Sequence, residues 1–257
     1  MRIARVLSKF APALALAAAA GLAGCDNVDV QIGDEEGVPL SELDMSGEAP
    51  TSLVLAAPDN VVITTGEEFA VNVEGSAEAR ERMRFALDGD SIAILREGND
   101  WQEGETATIN VTMPAPESLV MAGSGMISTD GMASDAEITI AGSGTITAQA
   151  IDAESLEVTV AGSGAVGASG STDVLELTIA GSGSADMADL EADRAEVSVA
   201  GSGGATFASN GSVEASLVGS GTVRVRGSAE CEASTIGSGR LICEADAAEI
   251  NDAADEV

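Results

Sequence analysis

Leu156-Glu157-Val158-Thr159-Val160-Ala161-Gly162-Ser163-Gly164-Ala165-Val166 decides the fold of this 257-residue chain. Apolar residues occupy every second place up to Val160, polar ones fill the gaps, a Gly-Ser-Gly follows, and Val166 resumes the apolar series. Alternation with period two is a strand with one buried and one wet face. Glycine at the interruption suits a corner, because it accepts positive φ and lets backbones approach closely. The same phrase returns seven times, with first glycines at 123, 142, 162, 181, 201, 219 and 237, spaced by 19, 20, 19, 20, 18 and 18. A period that regular means one small unit stacked on itself.

Aligned on the first glycine, the positions two, four and six before it carry Ala136/Ile138/Ile140, Leu156/Val158/Val160, Leu175/Leu177/Ile179 and Ala195/Val197/Val199. Beyond the corner, Ile127, Ile146, Val166, Ala185, Ala205, Val223 and Leu241 point inward again. Each unit is therefore one coil of an all-β, parallel β-solenoid, paired with the coils above and below at about 4.8 Å. Earlier strands are expected at 52–55, 61–63, 69–73, 84–87, 92–94 and 107–113, with one helical turn near Glu78–Met83, and they extend the stack.

The first residues read as an export signal. Arg2, Arg5 and Lys9 precede the apolar stretch Phe10–Gly21, which is too short to span a membrane, and Leu22-Ala23-Gly24-Cys25 follows. That ending resembles the lipobox of bacterial lipoproteins, which implies cleavage after residue 24 and lipidation of Cys25. Asp26 resembles the inner-membrane retention signal of enteric bacteria, and the choice of membrane stays open. The expected organisation is a signal peptide at 1–24, a flexible tether at 25–48, the solenoid at 49–244 and an acidic tail at 245–257.

Loss of residues 1–24 removes three of the 11 basic residues and none of the 43 acidic ones, taking the formal charge from −32 to −35. Such a surface repels nucleic acid and favours cations or basic partners. Two other cysteines remain, Cys231 and Cys243. In an exported chain the pair is expected as a disulfide, at inward positions of the last coil, with two buried thiols as the alternative.

Six glutamates stand five places before the corner: Glu137, Glu157, Glu176, Glu196, Glu214 and Glu232, with Ser118 in the first repeat. Thr139, Thr159, Thr178, Ser198, Ser216 and Ser234 form a parallel hydroxyl series. Stacking would bring neighbouring carboxylates within one strand spacing, where they repel by roughly 0.9 kcal/mol in water. The series reads either as a strip for cations or a basic partner, or as a solvated face that keeps a β-protein from edge aggregation. Mild acid or millimolar Ca²⁺ is expected to raise the melting temperature. No metal or cofactor site is expected beyond weak divalent cation binding on that strip.

Repeated Gly-Ser-Gly after an alternating strand, with a hairpin around Asn60–Gly66, Ile109-Asn110-Val111-Thr112-Met113-Pro114 and Leu119–Gly125, resembles the bacterial head GIN domain family of autotransporter adhesins. The resemblance covers about residues 51–244. It implies a right-handed β-helix of a surface or periplasmic protein and brings no catalytic residues. An enzyme is not expected on the residues either. The chain has no histidine or tyrosine, and its one lysine, Lys9, lies in the signal. Trp101 is the only large platform for a sugar, and the arginines at 224, 226 and 240 read as counter-charges. The functional expectation is a lipid-anchored, adhesin-like binding module of the cell envelope for a protein or glycan partner. An envelope-stress scaffold is the alternative, a carbohydrate-active enzyme ranks below both, and homo-oligomers by end-to-end stacking stay open.

Overall fold

The computed structural model describes residues 37–98 and 106–244. The strands in chain order are β1 (Ser52–Ala56), β2 (Asn60–Thr65), β3 (Ala70–Glu74), β4 (Met83–Asp88), β5 (Ser91–Arg96), β6 (Thr108–Met113), β7 (Ser118–Met121), β8 (Met126–Thr129) and β9 (Asp135–Gly142). They continue as β10 (Thr145–Gly162), β11 (Ala165–Gly181), β12 (Ser184–Gly201), β13 (Gly204–Ala208), β14 (Ser212–Gly219), β15 (Thr222–Arg226), β16 (Glu230–Gly237) and β17 (Arg240–Glu244). Among the described residues the one α-helix, α1 (Ala77–Glu81), is capped by Ser76, whose hydroxyl accepts the Ala79 N–H at 3.1 Å.

From β7 onward the pairing is parallel and repeats coil on coil, which is a β-solenoid. The inward columns are buried as far as the coil before the last. Leu55, Met121, Ile140, Val160, Ile179, Val199 and Leu217 form one of them, all at 2% exposure or less. The unequal coil lengths are absorbed at the second corner, where the register shifts between Ala148 and Ile151 and between Gly167 and Ser169. The extra residue of one 20-residue coil lies there, and Ala150 adopts a left-handed φ of 50°.

The first corner is where coils touch most closely. Gly162 has φ 121°, and a Cβ placed on it would lie 2.5 Å from the carbonyl oxygen of Gly142 in the coil beneath. That oxygen accepts the Ser163 N–H at 2.9 Å, and the relation recurs from Ser143 to Ser238. The third glycine is needed for another reason. A Cβ on Gly164 would lie 2.5 Å from Ile140 Cγ2, a core side chain of the coil below.

At the N-terminal end the layer order departs from the chain order. β1 and β2 pair in parallel with β7 and β8 on one side and with β5 and β6 on the other, so the β5–β6 layer lies beneath a layer that precedes it in sequence. Among the described residues β2 has only parallel partners, β6 and β8, so the hairpin expected around Asn60–Gly66 is not formed there. The hairpin is β4–β5, with Asp88 facing Ser91. Antiparallel β3 on β6 and β4 on β5 then close the stack.

The corner of the β1–β2 layer is Ala57-Pro58-Asp59, stacked beneath Gly123-Ser124-Gly125. Asp59 is fully buried. Its carboxylate accepts from Arg96 Nη2 at 2.6 Å, Arg96 Nε at 3.0 Å and the Ala107 N–H at 2.6 Å. It thereby ties together both ends of the long β5–β6 connection. Charges this deep are tolerated only when paired and hydrogen-bonded.

The segment 37–48, expected within the flexible tether, docks on this end instead. Val38 exchanges two backbone hydrogen bonds of 2.8 Å with Phe85, and Leu40 and Leu43 pack against the core. Apolar side chains at 38, 40 and 43 give it a face to bury. The expected signal peptide and the tail lie outside the described residues.

Two pairs of outcomes are expected in urea denaturation. Gly162→Ala should lose about 2–4 kcal/mol, from strain plus the backbone clash. Gly167→Ala, whose Cβ would meet nothing nearer than 3.7 Å, should stay within about 0.5 kcal/mol of the parent. Arg96→Leu should cost about 3–5 kcal/mol by stranding the Asp59 carboxylate. Arg96→Leu combined with Asp59→Gly should cost less than Arg96→Leu alone.

Candidate functional site

One outer face of the solenoid is built by the strands that enter the Gly-Ser-Gly corner. Because the side chains alternate, every coil presents the same three outward places there. In the strand pairing Glu137 stands on Glu157, Glu157 on Glu176, Glu176 on Glu196, Glu196 on Glu214 and Glu214 on Glu232. The six glutamates thus form one unbroken row. Ser118 pairs with Glu137 and ends it on the N-terminal side.

The hydroxyl row lies beside it in the same register, from Thr139 to Ser234. At the first rung the two rows interact, the Thr139 hydroxyl donating to Glu137 Oε1 at 3.1 Å. A third row, next to the corner, escaped the sequence reading. It consists of Ala141, Ala161, Ala180 and Ala200, then Val218 and Ile236. The last two are 52% and 71% exposed, so the face ends in an apolar step. The signal was available in the repeat alignment, because alanine gives way to larger residues only there.

Glu157 has a raised carboxyl pKa. Partial desolvation is the first cause, although the residue stays solvent-exposed, and the charges of Glu137 and Glu176 on either side come second. Neither neighbouring charge taken singly contributes as much as desolvation at this rung.

Cys231 and Cys243 form a disulfide with Cα atoms 6.8 Å apart. They stack on Val213 and Val225, both buried, which makes their positions inward ones in the last coil. Arg224 approaches Glu244 at 3.8 Å, an exposed pair. Cys25 and Trp101 lie outside the described residues. Among the described residues no cluster of His, Cys, Asp and Glu has the arrangement of a metal site, and no helix is long and apolar enough to cross a membrane. A shallow hollow of about 280 Å³ lies on the other face, lined by Ser184, Asp186, Gly204, Thr206, Thr222 and Arg224 among others.

Residues 49–229 match the family model described as "Putative auto-transporter adhesin, head GIN domain". No curated protein matches the chain in sequence. Among solved structures, a "putative adhesin" from Bacteroides fragilis aligns with a TM-score of 0.71 and 20% identity, over 76% of this chain and 92% of that one. A "putative lipid binding protein" from Parabacteroides distasonis gives 0.61 and 20%, over 76% and 93%. A "putative adhesin" from Parabacteroides merdae gives 0.60 and 13%, over 77% and 92%. At these identities the likeness is one of fold.

The Glu157 shift has a sign that can be checked. A raised folded pKa leaves stability intact below the ordinary glutamate value, near 4.5, and removes it as pH rises through the folded value. Glu157→Gln should therefore melt about 1 °C above the parent at pH 7, with the gap closing by pH 4 in thermal scans. High salt should narrow the gap at pH 7 without erasing it, because screening acts on the repulsion and leaves the desolvation.

Proposed function

The chain belongs to the head GIN domain family, and from that premise we propose that it is a non-catalytic, adhesin-like binding module of the cell envelope, anchored by lipid on Cys25. The observation that carries this reading is the continuous row of six carboxylates flanked by a row of hydroxyls. A flat face of repeated charge and hydroxyl suits an extended partner better than a small molecule. The partner class is a basic protein surface, or a glycan bridged through cations. Hydroxyls and carboxylates at strand spacing offer many weak contacts in series, and their sum gives avidity.

A lipid-binding role, the description attached to one structural neighbour, would call for an apolar cavity of roughly 300 Å³ or more. The hollow lined by Ser184, Asp186, Thr206 and Arg224 is shallow and open to solvent, which favours the face instead. The second reading is an envelope scaffold in which the stack acts as a spacer. Its support is the tightly filled interior, whose inward columns are all but inaccessible between Leu55 and Leu217.

Protease treatment of intact cells separates the two. A displayed adhesin is removed from the cells, whereas a periplasmic scaffold survives. In the same cells, glutamine at all six rungs should leave display unchanged and abolish retention on an amine-bearing surface. Survival of the chain on shaving, or retention unaffected by the glutamines, would count against the adhesin reading.

A further inference from the structure

The last described coil is built unlike the one beneath it. In the β14–β15 coil the inward places are Val213, Ala215, Leu217, Val223 and Val225, all buried. Directly above them in register stand Cys231, Ala233, Thr235, Leu241 and Cys243. Ala233, Thr235 and Cys243 are exposed, and Cys231 and Leu241 are only half-buried. A row of valines and a leucine thus gives way to a single leucine, an alanine, a threonine and a cystine.

Burial of apolar surface is the main force that binds one coil to the next, and little of it is left at this level. Backbone pairing with β14 and β15 continues through the corner, where the Ser238 N–H donates to the Gly219 carbonyl oxygen at 2.8 Å and the Arg240 N–H to that of Gly221 at 3.0 Å. What ties β16 to β17 across the interior is the Cys231–Cys243 bond, which joins residues 12 apart. Closing a loop of about this length shifts the balance between closed and open segment by roughly 100-fold. The bond is reachable as well, because Cys243 is exposed. Beneath it lies a coil that would be hazardous uncovered, since β14 and β15 would then present unpaired backbone beside a wholly apolar inward row.

We propose that Cys231–Cys243 is a thiol–disulfide exchange site that latches the last coil over the apolar row of β14 and β15. Its reaction partner is a dithiol reductant. One thiolate of the reductant attacks Sγ of Cys243, the Cys243–Cys231 bond breaks, and Cys231 leaves as a thiolate that takes up a proton. The second thiolate then attacks the reductant sulfur bound to Cys243, forming the reductant's own disulfide and releasing Cys243, which is protonated in turn. Two electrons and two protons have passed from the dithiol to the cystine. With the latch open, β16 and β17 come away, the carboxylate row shortens from six rungs to five by the loss of Glu232, and the β14–β15 edge is free to pair with a second copy.

Hydrogen exchange and sedimentation on the intact chain, oxidised and then treated with dithiothreitol, test this without any substitution. Amides of 230–237 and 240–244 should exchange at least ~10-fold faster once the bond is reduced, while those of 155–162 stay unchanged. The reduced chain should sediment as a dimer or larger, and reoxidation should restore both properties. Cys231→Ser combined with Cys243→Ser should behave like the reduced chain with no reductant present. A bond that resists dithiothreitol in the folded chain overturns the proposal, as does exchange at 230–237 that reduction leaves unchanged. Equal acceleration at 155–162 overturns it too, by making the bond a brace of the whole stack. A last coil that opens in a chain still monomeric overturns the pairing edge.

Discussion

Backbone meets backbone at one corner of every coil, and the rest of the molecule follows from how little room is left there. The carbonyl oxygen of each first glycine sits where the next glycine's side chain would begin, and accepts the N–H of the serine after it. The contact holds successive corners in line, so neither strand leaving the corner can slip by one residue without breaking it. A slip would also exchange the buried and wet faces of every strand. Aligned columns of valine, isoleucine and leucine are thus a consequence of the corner, and so is the row of glutamates on the outer surface.

Where the corner is missing, the fold substitutes a different device. The β5–β6 layer has a long connection in place of a tight turn, so nothing beneath the β1–β2 corner needs a glycine in the third place. Asp59 occupies that place and turns its carboxylate onto Arg96 and the Ala107 N–H. The ion pair supplies by electrostatics and hydrogen bonding the alignment that close backbone contact supplies elsewhere. Gly123, at the same corner, stands on Ala57 rather than on another glycine and has no positive φ.

The solenoid and its outer rows were legible in the sequence because both follow from a period, and a period survives without any knowledge of long-range contacts. The positions of Glu137 through Glu232 could be read as one row once the glycines were aligned. The N-terminal end was not legible. Ala57-Pro58-Asp59 lacks the Gly-Ser-Gly sign, and it lies 66 residues before Gly123, far from the repeat spacing, because β3 to β6 intervene. The docking of residues 37–48 was hidden for a related reason. Val38, Leu40 and Leu43 are sparse among acidic residues, and what secures Val38 is the free edge of β4, a tertiary feature with no local signature. The apolar step at Val218 and Ile236 was visible in principle but sits in a row that is otherwise alanine.

A row of like charges behaves differently from the same charges scattered. At about 4.8 Å in water, neighbouring carboxylates repel by roughly 0.9 kcal/mol, more than thermal energy of about 0.6 kcal/mol. Splaying of the side chains lowers that figure; on the function proposed above, the row concentrates cations along its length. A partner bearing its own line of positive charge would displace those cations, and their release would add to the affinity, as it does for proteins on nucleic acid. Recognition by such a face depends steeply on salt and on how many rungs are engaged, and little on any single glutamate. Specificity then rests on matching the rise of the stack, and a rigid solenoid holds that rise constant in a way that a disordered acidic segment of equal charge does not.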